Sequence, residues 1–183
     1  MNPWQATLVG RLPYRPWLMD NGSLTMALKR RCTELRVVRL RQRPGLPYPD
    51  EHAPLELKAR RLGLIRDVLL TCAGRPVVYA HSVIPLSGLM GPWHSLSRLG
   101  NRPLGEALFA DPQIARQPLE YKRLDRRHPL YRAAIEHAPD RPPRLWARRS
   151  VFVRGGHPIL VTEVFLPEVL RLPPPQPATR RTR

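Results

Sequence analysis

The chain has 183 residues, 42% of them hydrophobic and 25% charged, enough for a folded core and consistent with one domain. Its formal charge of +17 favours an anionic partner: a nucleic acid, a membrane surface or an acidic small molecule. The chain has no stretch near the ~18 apolar residues of a membrane span and no apolar leader at its N-terminus, so a soluble cytoplasmic protein is expected. Residues 1–14, broken by Pro3 and Pro13, read as irregular. A helical turn is predicted over 15–19. Asp20-Asn21-Gly22-Ser23 reads as a turn and N-cap for a helix over 24–31, with Leu24 and Leu28 on one face. Residues 34–42 alternate weakly, as a strand does. Residues 43–54, with Pro44, Pro47, Pro49 and Pro54, form a loop, and 55–61 a strand or connector.

A β-hairpin is predicted over 64–85. After it, Pro92 opens a helix to about Leu99, with Gly100 as its stop, and a second short helix covers 103–109. Residues 119–122 read as an edge strand. The stretch 123–144 is the most charged and least periodic, with a helix over 130–137. A second hairpin spans 145–167 and turns at Arg154-Gly155-Gly156-His157-Pro158. Residues 1–170 then make one domain, and 171–183, ending Thr-Arg-Arg-Thr-Arg, a mobile tail. Strands interspersed with short helices, without a βαβ rhythm, predict an α+β fold with an antiparallel sheet.

The two hairpins share a layout. At a constant offset, Arg66 falls on Arg148, Gly74 on Gly156, Pro76 on Pro158 and His81 on Glu163. Arg66 shares the more apolar face of its strand with Leu64, Val68, Leu70 and Cys72. An inward guanidinium must meet an anion, either an internal carboxylate such as Glu163 or one supplied by a ligand. Glu163 is the one acid in a strand that is apolar on both faces, so it needs a partner or a task. His81, beside Tyr79 and Val83, reads first as a hydrogen-bonded core residue. Arg148 and Arg149 point to opposite faces, and which of them turns inward stays open. The small-residue segment 88–104 is either a lid over a pocket or a plain connector. Cys32 and Cys72 lie in no C-x-x-C, and Cys72 sits in an apolar strand, so a reduced core thiol is expected. The chain has no G-x-G-x-x-G, P-loop or H-E-x-x-H, which argues against a dinucleotide, nucleotide or zinc enzyme.

Several segments together resemble the bacterial chorismate pyruvate-lyases of ubiquinone biosynthesis. They are Trp17-Leu18 with Gly22-Ser23-Leu24-Thr25, Ile65-Arg66-Asp67-Val68-Leu69-Leu70, Val83-Ile84-Pro85, Leu99-Gly100-Asn101-Arg102-Pro103-Leu104-Gly105, Leu145-Trp146-Ala147-Arg148-Arg149-Ser150 and Leu160-Val161-Thr162-Glu163-Val164-Phe165-Leu166-Pro167. The resemblance implies a single antiparallel sheet with helices packed on it and a ligand beneath two helical flaps. It implies removal of pyruvate from chorismate to give 4-hydroxybenzoate, without metal or cofactor; separately, a monomer is expected. The family's carboxylate-binding arginine falls on Arg66 and its acid on Glu163, as the residues nearest the chemistry. Leu104 matches a flap leucine that touches ligand, and Leu24 stands where the family has a methionine. Some relatives carry Arg at the position of His81. Glu163 would act as general acid or base, or only orient the ring hydroxyl.

Two other readings are set beside this one. A non-catalytic effector-binding domain of the same fold would bind a carboxylate without turning it over. Nucleic-acid binding has only the charge behind it: the basic residues are scattered, aromatics are 7%, and no stacking platform is apparent, so no specific nucleic-acid partner is expected.

Overall fold

The computed structural model describes residues 3–98, 100 and 102–175. Helices α1 (Arg15–Met19) and α2 (Leu24–Lys29) come first. The turn between them forms as read: Asp20 Oδ1 accepts from the Gly22 amide, and Ser23 Oγ caps α2 by accepting from the Met26 amide. Strand β1 (Leu35–Gly45) leads to the first hairpin, β2 (Gly63–Cys72) and β3 (Arg75–Pro85). Helix α3 (Leu86–Leu89), a 3-10 turn (His94–Arg98) and helix α4 (Leu104–Ala110) follow. Strands β4 (Ala115–Arg116) and β5 (Glu120–Asp125), helix α5 (Pro129–Ile135) and the second hairpin, β6 (Arg144–Arg154) and β7 (His157–Phe165), complete the sheet.

All seven strands form one antiparallel sheet in the order β1-β2-β3-β7-β6-β4, with β5 also pairing β6. The expected α+β architecture is therefore present. Strand β1 runs past the expected loop boundary, through Pro44, because it lies at the sheet edge, where a missing N–H breaks no ladder. The helix expected over 92–99 is instead the 3-10 turn, and Leu99 lies outside the described residues. Residues 52–60 carry turns and no strand. Of the tail read over 171–183, residues 176–183 also lie outside the described residues. No described helix is long and apolar enough to cross a membrane.

Both hairpins close through two consecutive residues at positive φ, Ala73-Gly74 and Gly155-Gly156, as two-residue turns require. They differ in one respect. Leu70 pairs with Val78 while Thr71 pairs with Pro76, so β3 carries one extra residue at Val77. A single inserted residue turns every later side chain to the opposite face. His81 therefore pairs with Asp67, whereas Glu163 pairs with Arg148, and the two residues that the common layout equates face opposite sides of the sheet.

Helices cover both faces, which is why β2 is buried along its whole length. On one face, Trp17 and Leu18 of α1 and Leu24 and Leu28 of α2 pack on Leu70, Val78 and Phe165. Leu104 and Leu108 of α4 pack there too, against Leu64, Phe152 and Ile159. On the other face, Leu130, Tyr131 and Ala134 of α5 pack on Leu69, Tyr79, Ala147 and Val164. The cysteines are not free core thiols: Cys32 and Cys72 form a disulfide. The chain leaving α2 returns to the end of β2 with the two Cα atoms 5.6 Å apart, within the normal reach of such a bridge. The bond ties the base of α2 to the strand that carries Arg66.

Candidate active site

Strand alternation places Arg66 and Glu163 on the same face. Arg66 pairs with Ser82, which pairs with Val161. One row along, Val68, Ala80 and Glu163 pair in turn. Arg66 and Glu163 thus stand on either side of β3 and both line a chamber roofed by α2 and α4. Leu24 and Thr25 come down from α2, and Leu104, Leu108 and Phe109 from α4. The two roof helices approach closely. Lys29 pairs with Glu106, and a methyl group added at Gly105 would meet Ser23 Oγ and Thr25 Oγ1 at 3.4 Å. All four residues expected at the site, Leu24, Arg66, Leu104 and Glu163, line this one cavity. The cavity volume is about 50 Å³. That is well below the ~300 Å³ of a small-molecule pocket, so α2 and α4 must part to admit a ligand.

Arg66 is 2% exposed. Its Nη2 donates to the carbonyls of Gly100, at 3.2 Å, and Arg102, at 2.9 Å. Its Nε has no hydrogen-bond partner among the described residues. Burial, with the charge of Arg39 added, pulls the guanidinium pKa down to about 10. The internal partner considered for it, Glu163, is taken. Glu163 lies directly across the register from Arg148, and Arg148 Nε donates to Glu163 Oε2 at 2.5 Å. Arg66 is two strands away and one row out of step.

Arg148, not Arg149, shares the chamber's face. It is fully buried, and its Nη1 donates to the carbonyls of Trp17, at 2.9 Å, and Asp20, at 2.5 Å, so it holds the end of α1 as well as Glu163. Arg149 turns to the other face, where it donates to Glu120 and to the Asp50 carbonyl. Arg116 of β4, which no sequence pattern singles out, also lines the chamber. A two-residue strand after Asp111-Pro112 has no periodicity to read.

His81 belongs to a separate charged cluster on the far face. Its Nδ1 lies 2.6 Å from Asp67 Oδ1, and its Nε2 lies 3.0 Å from Glu51 Oε1 as an ion pair out of line for a hydrogen bond. Tyr48 stacks on its ring, and Arg41 Nε donates to Asp67 Oδ2 at 2.7 Å. Burial pushes the His81 pKa down, but the charge of Glu51 and the Asp67 hydrogen bond outweigh it and raise the pKa to about 9. A histidine raised above its unfolded value stabilises fully below pH ~6.5 and loses that contribution as pH rises through its folded value. Unfolding free energy should fall by on the order of 3 kcal/mol between pH 6.5 and 9.5. Urea titrations of wild type and His81→Gln test this: the slope should be present in the first and absent in the second.

Two buried arginines, Arg66 and Arg148, and a half-buried glutamate, Glu163, stand on the face of the sheet beneath two short helices. The family model described as chorismate lyase matches residues 7–171, and the chain belongs to the chorismate lyase family. It is 49% identical over 156 residues to a protein of Thiobacillus denitrificans named "Probable chorismate pyruvate-lyase", a match covering 85% of this chain and 83% of that one. An Aromatoleum aromaticum protein of the same name is 50% identical over 161 residues, with 87% of each chain covered. Among solved structures, the C-terminal domain of the histidine utilization repressor from Pseudomonas syringae pv. tomato superposes with a TM-score of 0.57. That match covers 82% of this chain and 100% of that one, and at 8% identity it shows a shared fold alone.

Proposed function

We propose that this protein is a chorismate pyruvate-lyase, a cytoplasmic monomer that eliminates pyruvate from chorismate and releases 4-hydroxybenzoate for ubiquinone biosynthesis. The observation that carries the reading is Arg66: a buried guanidinium in a chamber wall that, among the described residues, has only backbone carbonyls as partners and an unpaired Nε. A carboxylate supplied by a ligand satisfies that fork, and water screens the pair poorly.

In the reaction the ether bond from the ring to the enolpyruvyl oxygen breaks. The ring carbon bearing the hydroxyl gives up its hydrogen as a proton, and the electron pair stays in the ring, which becomes aromatic. Enolpyruvate takes up a proton and becomes pyruvate. The driving force lies in the substrate, so the protein's part is to hold one conformer and exclude water. Arg66 takes the ring carboxylate. Glu163, fixed by Arg148, accepts a hydrogen bond from the ring hydroxyl, and Leu24 and Leu104 close on the ring faces.

Purified protein incubated with chorismate should form pyruvate and 4-hydroxybenzoate in equal amounts. Lactate dehydrogenase coupling measures the first, and ultraviolet absorbance the second. Because the flaps must reopen, a burst of product in the first turnover should precede a slower steady state. Tight chorismate binding with no pyruvate would instead make this chain a ligand-binding module.

A further inference from the structure

We propose that Arg116 binds the second carboxylate of the substrate, at the end of the chamber away from Arg66, so that the site is built for a dianion. The inference rests on the lyase reading above and assigns a residue that reading does not use.

Arg116 pairs in register with Phe152, which puts it on the chamber's face of the sheet. Its guanidinium lies over the rings of Phe109, at 5.2 Å, and Phe152, at 5.3 Å. Nε donates to Ser150 Oγ at 3.2 Å, and Nη1 to the Asn21 carbonyl at 2.6 Å. Both acceptors are neutral, and a guanidinium has five N–H donors. Of the acids whose charge reaches it, Glu163 and Asp20, the first is bonded to Arg148, and Arg116 forms an ion pair with neither. The chamber therefore contains two guanidiniums, Arg66 and Arg116, whose hydrogen bonds among the described residues all go to neutral oxygens. Three strands separate β2 from β4, which puts the two backbones roughly 19 Å apart, with both side chains reaching inward.

A ligand with one carboxylate satisfies Arg66 and leaves Arg116, beside two aromatic rings, with no carboxylate hydrogen bond among the described residues. Chorismate has one carboxylate on the ring and another on the enolpyruvyl ether, and an extended ligand of that kind engages both. When the ether bond breaks, the second carboxylate leaves with pyruvate. The remaining monocarboxylate then loses its hold on Arg116.

Titration calorimetry with two unreactive ligands tests this. One is the carboxyvinyl ether of 3-hydroxybenzoate, a dicarboxylate whose ring is already aromatic. The other is 4-hydroxybenzoate. Arg116→Gln should weaken the dicarboxylate by about 30-fold or more and the monocarboxylate by no more than about 3-fold. Arg116→Lys, which keeps the charge without the fork, should fall between wild type and Arg116→Gln for the dicarboxylate. If Arg116→Gln does not fold, the comparison rests on Arg116→Lys, which should still weaken the dicarboxylate more than the monocarboxylate. A purely structural Arg116 would weaken both ligands alike, and that result overturns the proposal. So does a wild-type protein that shows no preference for the dicarboxylate. Should wild type show an Arg116-dependent preference but no turnover of chorismate, the lyase reading fails and this assignment stands.

Discussion

Arg66→Met should lower kcat/KM on chorismate by about 100- to 1,000-fold, while leaving the melting temperature of the ligand-free protein unchanged or raised. The combination is unusual, because truncating a buried charge normally destabilises through the partner left behind. Among the described residues the partners are two backbone carbonyls and no carboxylate, while the burial that depresses the guanidinium pKa is a cost the ligand-free protein carries. Methionine fills the volume of the stem and removes that cost. Steady-state kinetics and a thermal melt of the same preparation decide the matter. Near-normal kcat/KM would show that the arginine does not hold the substrate. A large loss of stability would show that it is a structural residue.

What could be read from the sequence was whatever broke a strong local pattern. Arg66 and Glu163 were visible because each is a charge within a strand of apolar residues, and β-strand alternation alone gives such a residue a face. Both hairpins were visible because glycines sit where a tight turn needs positive φ. The roof helices α2 and α4 are too short to be recognised as flaps by period, and that expectation came from the family resemblance. The rest depended on tertiary register. The extra residue at Val77 carries no sequence signature, yet it sends His81 to the far face with Asp67 and Glu51. The pairing of Glu163 with Arg148 follows from β6 and β7 lying in strict register, which alternation within one strand does not reveal. Arg116 reaches the chamber from a two-residue strand, and Cys32 meets Cys72 only because α2 folds back over β2.

Arg148→Met, at the same kind of buried position on the same face of the sheet, should do the opposite of Arg66→Met and destabilise the protein by about 3–5 kcal/mol. Arg148 is fully buried and bonds to a carboxylate and to the carbonyls of Trp17, Leu18 and Asp20 at the end of α1, which has no basic side chain in its own last turn. Its guanidinium also lies over Phe165 at 5.7 Å. Methionine replaces none of these bonds, so three acceptors and a largely buried carboxylate lose their donor at once. For a chain of this length the melting temperature should fall by about 10 °C. Pairing it with Glu163→Gln separates the contributions. If the ion pair dominates, the double variant should recover at least about 1 kcal/mol relative to the sum of the single variants, because no unpaired charge remains. If the α1 carbonyls dominate, the two effects should simply add. A melting temperature within a degree or two of wild type for Arg148→Met would mean that Glu163 needs no anchor, and its fixed position in the proposed reaction would lose its physical basis.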